Sequence, residues 1–282
     1  MNRNQALMQL IEEAHHGEFH FPTSAKLAIK IRQTLDDPDC HLDAAGKLIQ
    51  AEPLLAAQVI AMANSVIYNP SGREITDVRT AVSRLGFATL RTMAMAFVTR
   101  QMAGTSSSKV QQQLATQLWE HTAHVAALSH VIAGKVTGGS ADTALFAGLV
   151  HEIGGFYLLS RADQYPALLD GPDTATSGAD EIDQASVVNT LSLAVLRNIG
   201  IPEAVLDAIE RYVEGFLSTP PKGLGDTLLL AKYMAPVASP LSAIDASEAT
   251  IALDLAIEHG MLKDILQESA DEVDSLVQAL RG

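Results

Sequence analysis

Apolar residues recur at helical spacing along the chain from Leu7 onward. Spacings of three and four residues indicate one amphipathic helix after another, and no segment has the sustained alternation of a β-hairpin. The last predicted helix illustrates the pattern, because its apolar residues follow i, i+3, i+4 and i+7: Val273, Leu276, Val277 and Leu280. The pattern therefore predicts an all-α protein.

Capping and turn residues mark where these predicted helices begin and end. Thr76 or Asp77 can cap a short helix, and Gly86 stands where that helix should end in a left-handed residue. Residues 104–108, Gly-Thr-Ser-Ser-Ser, interrupt all apolar periodicity. We therefore expect two helical lobes, an N-terminal bundle at residues 1–108 and a C-terminal lobe at residues 109–282.

Composition and charge narrow the class of protein. The chain has 282 residues, is 48% hydrophobic and carries a formal charge of -14, which disfavours binding to nucleic acid and to anionic membranes. Cys40 is the single cysteine, so an intramolecular disulfide is excluded. The sequence shows neither a signal peptide pattern nor an apolar run of the length that a membrane span needs. We expect a cytoplasmic protein.

The positive charge is concentrated in one acid-free segment. Residues 1–110 hold 11 basic and 10 acidic side chains, whereas residues 111–282 hold 8 and 23. No acidic residue stands between Asp77 and Glu120, and four arginines of this segment form a candidate interaction surface: Arg79, Arg84, Arg91 and Arg100. The alternative is that they form a solvated helix face or pair with acids of the second half.

The main candidate for chemistry lies in residues 146–159, FAGLVHEIGGFYLL, where His151 and Glu152 interrupt an apolar run. A buried polar pair is costly, so it needs hydrogen-bond or ionic partners. On a continuous helix adjacent side chains diverge by roughly 100°, so a metal bound by this pair would need ligands from other helices.

Histidines elsewhere supply few of those ligands. His121 and His124 share about one face of a predicted helix, and one of them could meet His151. His130 lies ~180° round from His121 on that helix, so it cannot face the same site. No histidine stands between His151 and His259, where a complete metal site would be expected to draw further ligands.

The order of several short motifs resembles the HDOD domain family, the HD-related output domain branch of the HD phosphohydrolase superfamily. The motifs are Phe21-Pro22, QAEPL at 50–54, ANS at 63–65, residues 75–81, Leu85-Gly86, LWEHT at 118–122 and AGLVHEIG at 147–154. The resemblance implies an all-α fold with an HD-like C-terminal lobe and a bacterial signalling role. Catalytic relatives hydrolyse phosphodiesters or phosphomonoesters with divalent metals.

The resemblance places individual residues in the superfamily's metal site. It gives His121 the position of the first ligand and His151 that of the HD histidine, while Glu152 replaces the superfamily's aspartate. Where relatives often carry further histidines, this chain has Val188 and Tyr212-Val213. The site therefore resembles a remnant of a metal centre.

Three hypotheses follow for the function. We expect a non-catalytic regulatory module that contacts other signalling proteins, has no catalytic residue, no cofactor and no bound metal, and could also pair with a second copy of itself. The first alternative is a divergent metal-dependent phosphohydrolase, acting on a cyclic nucleotide or a phosphomonoester through His121, His124, His151 and Glu152. It would draw further ligands, such as Asp142 or Asp183, from outside the positions that the resemblance implies. The second alternative is a purely structural scaffold.

Without a metal, the polar pair still needs partners. The His151 imidazole can donate one ring N–H to a backbone carbonyl. Glu152 could pair with Arg161 or Arg197, or point into solvent. Trp119, the single tryptophan, is expected to pack between the lobes.

Overall fold

The computed structural model describes residues 1–21, 23–102, 108–169, 183–241 and 259–281, and over these ranges the protein is helical with no strand. The all-α prediction is confirmed. The first six helices are α1 (Arg3–His15), α2 (Thr23–Leu35), α3 (Leu42–Gln50), α4 (Pro53–Ala63), α5 (Val78–Met102) and α6 (Lys109–Ile132). They are followed by α7 (Ala141–Val150), α8 (Ile153–Ser160), α9 (Gln184–Asn198), α10 (Glu203–Glu214), α11 (Gly223–Met234), α12 (His259–Glu268) and α13 (Ala270–Arg281).

Helix α5 consists of two helical segments joined at Gly86, as the sequence predicts. Gly86 has φ 72° and ψ 171°, so it has the positive φ that glycine tolerates, although its ψ is extended rather than left-handed helical. The side chain of Asp77 accepts a hydrogen bond from the Thr80 N–H at 2.8 Å and caps the first segment. The predicted cap and the predicted break are both confirmed.

Asn64 organises the turn between α4 and α5. Its amide group donates to the Ile60 carbonyl at 3.1 Å and to the Ile75 carbonyl at 2.7 Å, and it accepts from the Ile75 N–H at 2.8 Å. The Asn64 side chain thus terminates α4 and holds the loop before α5 against the end of α4.

Two long helices, α5 and α6, form the centre of the fold. Helix α5 packs against α2, α4 and α7, and α6 packs against α7, α11 and α13. The ring of Trp119 on α6 lies edge-on to Phe156 at 6.3 Å and under the guanidinium of Arg100 on α5 at 5.6 Å. Helix α1 also packs against α9, across the predicted lobe boundary. That boundary falls largely on residues 103–107, outside the described ranges, so the two-lobe division stays a prediction.

Helices α7 and α8 together form a long apolar stretch. The stretch Ala141–Ser160 has a mean hydropathy of 1.2 and is long and apolar enough to cross a membrane, but 83% of it is buried inside the protein. The expectation that no apolar run has the length of a membrane span was therefore wrong. The burial of this stretch against α5, α6 and α9 accounts for its apolar composition.

Glycines allow these two helices to approach their neighbours closely. A Cβ atom on Gly148 of α7 would lie 2.5 Å from Ala126 Cα of α6, and one on Gly154 of α8 would lie 2.3 Å from Ser192 N of α9. The packing leaves no room for a side chain at either position. The polar pair between these glycines is therefore held inside a tight helix layer.

Candidate functional site

His151 and Glu152 lie at the break between α7 and α8. His151 is the residue after the last turn of α7, and Glu152 precedes α8 with φ -112° and ψ 28°, which is not a helical conformation. Because the helix is interrupted here, the two adjacent side chains converge instead of diverging by roughly 100°. Both residues are 0% exposed.

Helix α6 brings His121 to the same point. The ligand-type atoms of His121, His151 and Glu152 all lie within 4.8 Å of one another. Nε2 of each histidine is 3.9 Å from Glu152 Oε1, and the two imidazole centroids are 5.6 Å apart. His121 is 1% exposed, so the whole cluster is enclosed.

Backbone carbonyls fix the tautomer of both histidines. Nδ1 of His121 lies 2.7 Å from the Val237 carbonyl oxygen, and Nδ1 of His151 lies 2.7 Å from the Gly148 carbonyl oxygen. A carbonyl oxygen only accepts, so each Nδ1 carries the hydrogen and each Nε2 keeps its lone pair. Neither Nε2 has a hydrogen-bond partner among the described residues. The lone pairs of both Nε2 atoms are therefore buried inside the cluster.

Among the described residues, three from later in the chain hold the Glu152 carboxylate. Lys232 Nζ of α11 donates to Oε1 at 3.2 Å, and the Ser239 hydroxyl donates to Oε2 at 2.7 Å. The Tyr212 hydroxyl of α10 lies 3.5 Å from Oε1 and also accepts a hydrogen bond from Lys232 Nζ. The carboxylate is thus compensated by an ammonium group and two hydroxyl groups.

The predicted partners of Glu152 were wrong. Arg161 pairs with Glu13 of α1 at 3.1 Å, and Arg197 pairs with Glu210 of α10 on the surface. Glu152 does not face solvent either, because it is fully buried. Burial of a carboxylate requires a nearby cation, and Lys232 supplies it.

Sequence reasoning missed Lys232 and Ser239, and it recognised Tyr212 only as the replacement of a histidine. A signal for Lys232 existed, since it is the single charge in the apolar run LLLAKYM of α11. A lone lysine in a buried helix needs an acidic partner, but the spacing along the chain does not say which one.

The other predicted positions lie outside the cluster. The His124 ring is one turn from His121, but its Nδ1 bonds back to the Glu120 carbonyl at 2.7 Å. Val188, at a position where relatives often have a histidine, packs its side chain near Gly155 of α8. His151 contacts a backbone carbonyl, that of Gly148, as the sequence predicts.

Burial shifts the ionisation of the cluster. Desolvation lowers the pKa of His151 to about 4, against an opposing attraction from Glu152. Desolvation also lowers the pKa of His121, and burial raises the pKa of Tyr212 well above its usual value. The two imidazoles and the phenol are therefore neutral at pH 7.

The lowered pKa of His151 predicts a loss of stability in acid. The unfolded chain takes up the His151 proton below about pH 6.5, whereas the folded protein does so only near pH 4, so the stabilisation is present above 6.5 and is lost as the pH falls to 4. Between pH 7.5 and 5.5 this amounts to about 1 kcal/mol. Guanidinium unfolding at both pH values should show the wild type losing that much more than His151→Gln. The exposed His41→Gln should behave as the wild type does, and equal pH slopes for the wild type and His151→Gln would contradict the assignment.

The three ligand-type atoms of His121, His151 and Glu152 are close enough together to bind one metal ion. The positive charge of Lys232 beside them, however, does not suit a divalent ion. The resemblance to HD phosphohydrolases implies such an ion between His121, His151 and Glu152, at roughly 2.0–2.2 Å from each donor. Lys232 Nζ already lies 3.2 Å from the carboxylate oxygen that would bind the ion. A divalent ion and an ammonium group about 4 Å apart repel each other by roughly 8 kcal/mol at an effective dielectric constant of ~20. The cluster with a charged Lys232 is already compensated.

Comparison with known proteins places this geometry in a family. The HDOD domain model matches residues 21–212. Among solved structures, a candidate metal-dependent phosphohydrolase from Shewanella amazonensis SB2B superposes with a TM-score of 0.70 at 20% identity, covering 99% of both chains. An HDOD domain protein of unknown function from Geobacter sulfurreducens gives 0.61 at 18% identity over 98% of both chains.

A signal transduction candidate from Marinobacter aquaeolei VT8 gives a TM-score of 0.59 at 17% identity, covering 100% of this chain and 67% of its own. No curated protein matches the chain. At these identities the solved structures show the shared fold. The family match covers more than half of the chain, so the protein belongs to the HDOD domain family, which is related to the HD phosphohydrolases.

Proposed function

We propose that the protein is a non-catalytic bacterial signal-transduction module that acts through contacts with other proteins. The observation that carries the proposal is the enclosure of the HD-like cluster. His121, His151 and Glu152 are at most 1% exposed, and the carboxylate is held by Lys232 and Ser239. A metal-dependent hydrolase needs an ion with an open position for water and a path for the substrate phosphate.

The alternative is a divergent metal-dependent phosphohydrolase. It is favoured by one observation, the convergence of three ligand-type atoms within 4.8 Å. For this reaction, Lys232 would have to leave the carboxylate and the surrounding helices would have to open. The Shewanella protein is described as a candidate metal-dependent phosphohydrolase, in agreement with this alternative, but at 20% identity the likeness extends to the fold alone.

An activity assay with a site-directed control separates the two functions. Tag-free protein would be incubated with Mn²⁺, Mg²⁺ or Zn²⁺ and with cyclic di-GMP, bis-p-nitrophenyl phosphate or p-nitrophenyl phosphate. We expect no turnover above that of His151→Ala under any condition. Metal-dependent turnover that His151→Ala abolishes would overturn the proposed function and establish the alternative.

The predicted arginine surface narrows to its N-terminal part. Arg91 and Arg100 reach back to the carbonyl oxygens of Leu35 and Arg281 at 3.2 and 2.7 Å. Arg84 likewise donates to the Tyr68 carbonyl at 3.3 Å, whereas Arg79 has 81% of its side chain exposed and pairs with Asp43, which is 71% exposed. Arg79, in the first turn of α5, is the part of the surface that we propose for contact with an acidic segment of a signalling partner.

A further inference from the structure

We infer that the Lys232 ammonium group takes the electrostatic place of a metal ion, and that His121, His151 and Glu152 form a latent divalent-metal site which Lys232 keeps closed. The inference rests on the proposed function and deepens it, because it supplies a physical reason for the lack of catalysis that we propose. It concerns the binding properties of the cluster rather than the partners of the protein.

Charge supports the first half of the inference. Glu152 is 0% exposed and needs a cation, and Lys232 Nζ at 3.2 Å is the cation that contacts it within the described part of the chain. The lysine side chain is itself 9% exposed. The ammonium group donates to both the carboxylate and the Tyr212 hydroxyl, so it is a fixed part of the cluster.

The histidines support the second half. Both have the tautomer that a metal-binding imidazole adopts, with Nδ1–H on a backbone carbonyl and the Nε2 lone pair directed inward. Both Nε2 atoms are buried and, over the described ranges, without a hydrogen-bond partner. A buried acceptor left unpaired is costly. The fold thus keeps two Nε2 atoms, each able to bind a metal ion through its lone pair, at 3.9 Å from Glu152 Oε1.

The combination gives a specific expectation for Lys232→Met, which removes the charge and keeps an unbranched side chain of similar length. Without the ammonium group, the carboxylate and two imidazoles make a two-histidine, one-carboxylate donor set, which suits Zn²⁺ and Co²⁺. We expect Lys232→Met to bind Co²⁺ at least ~100-fold more tightly than the wild type, since the repulsion from a neighbouring unit charge is lost.

The experiment titrates tag-free, chelator-free protein with Co²⁺ and follows the visible d–d absorption of the bound ion, with Zn²⁺ as the competitor. The wild type and the exposed-lysine control Lys263→Met should give no such absorption. Lys232→Met should give it, and Lys232→Met combined with His151→Ala should lose it. If Lys232→Met does not fold, Lys232→Gln tests the same charge.

Two outcomes would overturn the inference. The first is a folded Lys232→Met or Lys232→Gln protein that binds Co²⁺ no better than the wild type. The second is a wild-type protein that binds Co²⁺ in a manner abolished by His151→Ala, and this measurement does not depend on any lysine variant. Co²⁺ binding by the wild type without hydrolysis of a phosphate ester would contradict this inference but not the proposed function. Metal-dependent hydrolysis by the wild type would contradict the proposed function itself.

Discussion

Gly154→Ala should destabilise the protein by about 3 kcal/mol or more, near the upper limit for overpacking by one methyl group. The new Cβ would lie 2.3 Å from Ser192 N and 2.4 Å from the Val188 carbonyl oxygen. Both are backbone atoms of α9, so no rotamer change can relieve the overlap. The α8 and α9 helices would have to separate, which would also stretch the hydrogen bond from Gly154 N–H to the Ser192 hydroxyl. Guanidinium unfolding followed by circular dichroism measures the effect.

Two other glycines provide matched controls for this substitution. At Gly155 the nearest atoms are side-chain methyl groups of Leu241 and Leu118 at 3.0 and 3.1 Å, which can move, so Gly155→Ala should cost less. Gly46 lies inside α3 with nothing within 4 Å of its Cβ position, so Gly46→Ala should be neutral or stabilise by up to ~1 kcal/mol. An unchanged unfolding midpoint for Gly154→Ala would show that the α8–α9 contact is looser than described.

Glu152→Ala should lower the free energy of unfolding by about 3–5 kcal/mol, the usual cost of removing one partner of a buried ion pair. The Lys232 ammonium group would lose its carboxylate while its side chain is only 9% exposed. The hydroxyl groups of Ser239 and Tyr212 would lose their acceptor as well. Chemical denaturation at pH 7.5 measures the loss.

A double variant separates the effect of the buried charges on stability from the effect of side-chain size. Glu152→Gln keeps the size and should be nearly as destabilising as Glu152→Ala, whereas Glu152→Gln combined with Lys232→Met removes both charges and should recover more than half of the loss. Glu210→Ala removes the exposed surface pair with Arg197 and should change stability by less than ~1 kcal/mol. If the double variant were less stable than Glu152→Gln alone, the ion pair would not be the source of the effect.

Local features of the fold were predictable because they depend on neighbours along the chain. Helical periodicity, the Asp77 cap and the positive φ of Gly86 are set within a few residues, and the structure has all three. These features need no knowledge of which helices pack together.

The site was predictable only in part because its electrostatics depend on distant residues. Ordered motifs bring His121, His151 and Glu152 to attention through family resemblance. The compensating groups lie far away in sequence, with Lys232 and Ser239 separated from Glu152 by 80 and 87 residues. Arg161 and Arg197 were nearer candidates of the right charge, but helix packing directs them to Glu13 and Glu210. Spacing alone could not choose between these cations.

The lysine at the centre of the cluster also has a consequence for how the protein behaves in a cell. A divalent ion exchanges with its surroundings, so a domain that needs one gains or loses stability as zinc or manganese becomes abundant or scarce. Lys232 is covalently part of α11 and cannot dissociate from Glu152 in this way. A domain built around it would keep the same fold and the same surface during metal starvation and metal excess alike.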